Sequence, residues 1–151
     1  MISTLLLTVL TSAPLDVRVL EREKPVTLTV TAERARCDGD ALTGSLELSV
    51  SVTSVAVKGR AKPCAVVRFE GVSTVANGAL TRRYPGVLSV TVENGVLRLI
   101  NTVDVEAYLP SVVNAEASGS PPAALEAQAI VSRTFALSGR QRHERAGYHL
   151  C

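Results

Sequence analysis

From Leu15 to Ile100, apolar and polar residues repeatedly alternate with a period of two. Leu15, Val17 and Val19 alternate with Asp16 and Arg18. Val26, Leu28 and Val30 alternate with Thr27 and Thr29, and Leu46, Leu48, Val50 and Val52 with Glu47, Ser49 and Ser51. Successive side chains of a strand point to opposite faces, so each run predicts a strand with one buried face. The β-branched content of these runs favours the same assignment. Ala65 to Phe69 is a further short candidate. The clearest local signal spans 87–100, where Val87–Val92 and Val96–Ile100 flank Glu93-Asn94-Gly95. Asn-Gly tolerates the two positive φ angles of a type I′ turn, so this segment predicts a β-hairpin.

Beyond Asn101 the period lengthens. Asp104 is a good N-cap, Glu106 favours the helix dipole, and Val105, Leu109, Val112 and Val113 follow helical spacing. This predicts a helix at about 104–113, shortened or kinked by Pro110. A second helix is predicted at about 121–138. Ser120 is its expected cap, Pro121 its expected first residue, and Gly139 its stop. Leu125, Ala129, Ser132 and Ala136 fall on one face, flanked by Ile130 and Phe135. Strands followed by helices, without β-α-β alternation, predict an α+β fold with an antiparallel β-rich N-terminal region.

The chain has 151 residues, 46% hydrophobic and 20% charged, which fits one globular domain rather than a disordered segment. A net charge of +2 gives no electrostatic footprint for nucleic acid. Aromatics make up 3% and Trp is absent, which disfavours base-stacking platforms and Trp-lined sugar grooves. No apolar run reaches the length of a membrane-spanning helix. Residues 1–13, with a short apolar stretch and Thr11-Ser12-Ala13 after it, read as a signal or anchor remnant. Residues 14–151 then form the domain. Cys37 and Cys64 could pair in an oxidising compartment or remain buried thiols in a reducing one. No Walker motif, Gly-rich phosphate loop or zinc-ribbon spacing is present.

Candidate chemistry gathers near the helices. Glu116 is a lone carboxylate at a helix end in small and apolar company. Withdrawal from water there would suit a general acid, although the same pattern fits a solvated surface Glu. Arg133 lies beside Gln128 and Ser132 in an apolar stretch, where burial would require a carboxylate partner such as Glu116. An exposed or snorkelling Arg133 is the alternative. His143, His149 and Cys151 hint at a metal site, with too few ligands to close one around zinc.

Residues 99–137, LINTVDVEAYLPSVVNAEASGSPPAALEAQAIVSRTFAL, resemble the SpoIID/LytB family (stage II sporulation protein D and amidase enhancer). The resemblance rests on Glu106, Tyr108-Leu109, Val112-Val113, Glu116, Pro122 and Ala124-Leu125. Its most specific part is Ala127-Gln128-Ala129, followed by Arg133-Thr134-Phe135-Ala136. It implies a peptidoglycan lytic transglycosylase that cleaves peptide-free glycan strands and leaves a 1,6-anhydro end. Glu116 would be the acid. The sugar's own 6-hydroxyl would trap the oxocarbenium centre, so a second carboxylate is not required. Arg133 would orient Glu116 or touch substrate, and Gln128, Ser132 and Tyr108 would line the groove. The alternative within the family is a non-catalytic wall-binding or amidase-enhancing module, whose partner would be a cell-wall amidase.

Ala117 stands where the family has Met, and Ser120-Pro121-Pro122 where Trp-Pro is common. The family continues beyond the element matching Gly147-Tyr148-His149-Leu150-Cys151 and can bind zinc in that region. The C-terminal part is therefore expected to be missing. Cys151 and His143 would be two ligands of an incomplete site. A shortened sheet would leave an exposed strand edge that favours association. A peptidoglycan substrate implies export to the periplasm or the cell-wall side of the membrane.

Overall fold

The computed structural model describes residues 13–151; the segment read as a signal or anchor remnant falls almost wholly outside them. Among the described residues, eleven strands precede two helices, an α+β fold. The strands are β1 (Leu15–Val19), β2 (Thr27–Thr31), β3 (Arg34–Cys37), β4 (Asp40–Leu42), β5 (Ser45–Ser51) and β6 (Ser54–Val57). They continue as β7 (Val67–Glu70), β8 (Ser73–Asn77), β9 (Leu80–Tyr84), β10 (Val87–Glu93) and β11 (Val96–Val103). The helices are α1 (Val105–Ala117) and α2 (Pro122–Ser138), followed by single 3₁₀ turns at Gly139–Gln141 and Glu144–Ala146.

Two antiparallel sheets form a sandwich. One has the order β1-β11-β10-β7-β3-β4, the other β6-β5-β2-β8-β9. Their inner faces share one core. Leu28, Val30, Leu48, Val55 and Val75 come from the five-stranded sheet, and Val67, Phe69, Leu88, Val90 and Leu99 from the six-stranded one. Burial follows the sequence alternation while each strand lasts. Val26 and Val52, expected on the buried face, are instead exposed, Val52 at 88%. Val26 precedes β2, and Val52 lies in the turn after β5 with φ 54°. The period-2 rule stops applying where the pleat ends.

The hairpin forms as expected. Glu93 pairs with Val96 around Asn94 (φ 52°) and Gly95 (φ 76°), and the ladder runs back to Val87 opposite Thr102. The disulfide alternative for Cys37 and Cys64 is the one realised. Cys37 ends β3 in one sheet. Cys64 exchanges two backbone hydrogen bonds with Val55 of β6 in the other, both at 2.8 Å. The bridge therefore staples the two sheets.

Both helices pack at the β1–β11 side. Val105, Leu109 and Ala136 join Leu15, Val17, Val103 and Leu150 in a second apolar cluster. Helix α1 does not stop near 113; it passes through Pro110 to Ala117. Proline in a helix removes one hydrogen bond, here the one that would reach the Glu106 carbonyl, and packing of Val105 and Leu109 holds the turn. Ser120 is not the cap of α2. The cap position is Pro121, Pro122 is the first helical residue, and the Ser120 N–H donates to the Ala117 carbonyl, closing the interhelical turn.

The free edge of β1 is partly covered. Leu150 bridges Val17 in parallel, the Arg18 N–H donates to the Leu150 carbonyl at 2.7 Å, and the His149 N–H to the Asp16 carbonyl at 2.7 Å. Tyr148, buried and flanked by the Arg18 and Arg98 guanidinium groups, anchors this segment.

Candidate functional site

A groove of about 610 Å³ runs between α1 and the β1–β9 end of the sandwich. One wall is the face of α1 carrying Tyr108, Val112 and Glu116, residues at i, i+4 and i+8 that a helix stacks on one side. The other includes Arg82 and Tyr84 at the end of β9. Val17 and Asn101 lie on adjacent strands between the two walls, and Cys151 lies at the rim.

Three of the sequence-selected residues, Tyr108, Glu116 and Cys151, thus share this groove. Burial pushes the Tyr108 phenol above its ordinary range, and the negative charges of Cys151 and Glu116 push it the same way. Across the groove, burial also raises the Tyr84 phenol; the Arg82 charge opposes this and Glu23 adds to it. Glu116 is exposed, so the chain itself does not withdraw it from water as its apolar sequence neighbours suggested.

The α2 residues lie elsewhere. Arg133 does not pair with Glu116. Its Nε and Nη2 donate to the two carboxylate oxygens of Glu106, each at 2.7 Å, joining α2 to the first turn of α1. The Arg133 hydrogen bond holds the Glu106 carboxyl below its usual range, and the same bond raises the guanidinium. The turn at Ser118–Pro121 lies midway along the chain between Glu106 and Arg133, so folding the helical hairpin brings these two opposite each other. Gln128 donates from Nε2 to Ser132 Oγ at 3.2 Å within α2, and Ser132 is buried. None of Gln128, Ser132 and Arg133 lines the groove.

His143 stacks on Tyr148, with ring centroids 4.9 Å apart, and its Nε2 lies 3.9 Å from Cys151 Sγ. His149 does not join them: its Nδ1 accepts the Asp16 N–H at 2.9 Å. Among the described residues, no three His, Cys, Asp or Glu are grouped to hold a metal ion. Closed zinc sites are four-coordinate, so the His143–Cys151 pair does not fit one.

Asn101, Arg82 and Tyr84 escaped the sequence reading. Asn101 carried a usable signal: it is the one polar residue among the inward positions Leu97, Leu99, Asn101 and Val103 of β11. Arg82 and Tyr84 carried none, since β9 itself was not legible. A second hollow, about 550 Å³ on the five-stranded sheet, contains none of the selected residues, and its Lys58 is neutralised by Glu47 at 2.7 Å.

The family model described as stage II sporulation protein, SpoIID, matches residues 93–151. The chain carries a SpoIID-family segment. No curated protein and no solved structure matches it. The match supports a sporulation-related cell-wall protein. The SpoIID segment begins at the hairpin turn and supplies Asn101, Tyr108, Glu116 and Cys151 to the groove. The opposite wall, with Arg82 and Tyr84, and Val17 of the floor come from strands outside the matched residues.

Proposed function

We propose that the chain acts on peptide-free peptidoglycan glycan strands as a lytic transglycosylase, with Glu116 as the general acid. The observation that carries this reading is the position of Glu116, the carboxylate on the α1 wall of an open groove whose lining also includes Glu23, on the same helix face as the half-buried Tyr108. Protonated Glu116 gives its proton to the glycosidic oxygen as the C1–O bond breaks. The 6-hydroxyl oxygen of the same sugar then bonds to C1, and its proton returns to the Glu116 carboxylate. No water is consumed, and the product is a 1,6-anhydro end. Glu116 is exposed, and a strand seated in the groove would itself exclude water from it. Export to the cell-wall side follows from this substrate, and the buried Cys37–Cys64 bridge is consistent with an oxidising compartment.

A second reading is a non-catalytic wall-binding or amidase-enhancing module. It is favoured by one observation: Arg133, the expected orienting partner of Glu116, is committed to Glu106.

The two readings separate in a digest of purified peptide-free strands, analysed by mass spectrometry for 1,6-anhydro ends. The transglycosylase reading expects these ends from the wild type and their loss in Glu116→Gln, which keeps the shape and removes the acid. Equal yields from both proteins would remove Glu116 from the chemistry. No product from folded wild type would leave the binding module.

A further inference from the structure

We propose that Asn101 is a specificity-determining residue of the groove and that it recognises the acetamido group of a 2-acetamido sugar. This rests on the glycan reading above and deepens it. Asn101 is 4% exposed and lines the groove, yet among the described residues its Oδ1 has no hydrogen-bond partner. The other inward residues of its strand are Leu97, Leu99 and Val103, and its cross-strand neighbours are Val17 and Leu88. An amide in such a row carries the cost of an unmade buried hydrogen bond, which an aliphatic residue would avoid. That oxygen is itself closed to solvent, so a ligand that draws it toward the groove by a turn about χ2 supplies the missing partner and recovers that cost on binding.

The surroundings define the group. Val17 and Val103 are buried, apolar and line the same groove beside Asn101. Beside these valines the groove offers the Asn101 amide, which can accept and donate, set among methyl groups, while its other amide, Asn114, lies on the α1 wall. An acetamido group has the complementary make-up: an N–H, a carbonyl oxygen and a methyl. Its polar atoms meet the Asn101 amide, and its methyl packs against the valines. A hydroxyl in the same place would satisfy the amide and leave the apolar contact empty. The soft χ2 torsion lets the amide present either end.

The test uses the full chain carrying Glu116→Gln, so that no strand is cut, and calorimetric binding to three probes. These are peptide-free glycan strands, chitohexaose and cellohexaose; the last two differ in having acetamido groups or hydroxyls. Chitohexaose is expected to bind about tenfold more tightly than cellohexaose, the scale of one hydrogen bond with its apolar contact. Adding Asn101→Leu, which keeps the branching at Cγ, is expected to erase that preference without lowering Tm. If the two hexaoses bind equally, or the preference survives Asn101→Leu, the assignment of Asn101 is wrong while the glycan reading stands. If the peptide-free strands do not bind at all, the glycan reading fails and this inference with it. Should the Leu variant unfold, Asn101→Val, smaller and apolar like Val103 in the same strand, is read in its place, with the same loss of preference expected and its survival again refuting the assignment.

Discussion

Removing the Cys37–Cys64 bridge by changing both residues to Ala separates the covalent staple from the packing of the sandwich. The two cysteines are 27 residues apart, and both are buried. The loop-closure entropy that such a bridge removes from the unfolded chain corresponds to ~3–4 kcal/mol at room temperature. A domain is typically stable by about 5–15 kcal/mol, so this is a large share of the total. At this chain length it corresponds to a fall in Tm on the order of 10 °C. The assay is urea unfolding, with Cys151→Ser in every protein to remove the exposed free thiol. The double variant and wild type unfolded in reductant should converge on one lowered midpoint. A double variant within about 1 kcal/mol of the oxidised parent would refute the entropic argument. Alkylation of Cys37 and Cys64 in the native, non-reduced protein would refute the bridge itself.

Two further perturbations act on local geometry. Gly95→Ala places a side chain at φ 76° in the hairpin turn and should cost about 1–2 kcal/mol. Gly86→Ala should cost more, because its Cβ would lie 2.3 Å from the Thr102 carbonyl oxygen; urea midpoints of the two variants check the order. Asp38 accepts the Val66 and Ala65 N–H groups at 2.9 and 3.0 Å, which hold its carboxyl below the ordinary 3.8. Its contribution is therefore present above that value and lost as pH falls through the lower folded value. The gap in urea midpoint between wild type and Asp38→Asn should close at acid pH, and a gap that persists would contradict the assignment.

The parts legible in the sequence were those with a local cause. Asn94-Gly95 has few conformations besides the hairpin turn, and Asp104 caps α1 through the Glu106 N–H at 2.8 Å as its position suggested. The short strands β3, β4, β6, β8 and β9 were not legible. Their two or three inward residues, such as Ala35 and Cys37 in β3, are too few to establish a period. The site was half legible for a similar reason. Tyr108 and Glu116 lie on one helix, so spacing alone aligns them. Arg82 and Tyr84, on the edge strand of the other sheet, reach the groove only because the chain passes between sheets, whereas Asn101 stands out as the polar residue in an apolar row of β11. The partner of Arg133 required long-range information of a simpler kind. With acidic residues at both ends of α1, only the position of the interhelical turn selects Glu106 over Glu116.

That selection changes what Arg133 can do. A guanidinium that donates two bonds to Glu106 while α2 stays off the groove acts as a clamp between helices, not as a group on substrate. If so, Arg133→Gln and Glu106→Gln break the same interaction. Each should lower stability by a similar small amount, since both side chains are partly exposed, and the double variant should be no worse than either. The depressed Glu106 carboxyl adds a pH signature. The clamp is present above the ordinary value of 4.5 and weakens as pH falls through the lower folded value, so all three variants should meet wild type in acid. Anhydro-product formation should then fall only as far as each variant's folded fraction falls. A loss in Arg133→Gln that Glu106→Gln does not share, at equal folded fraction, would mean that Arg133 leaves Glu106 to contact the glycan. The clamp would then be a resting arrangement that substrate displaces, and α2 would belong to the active groove.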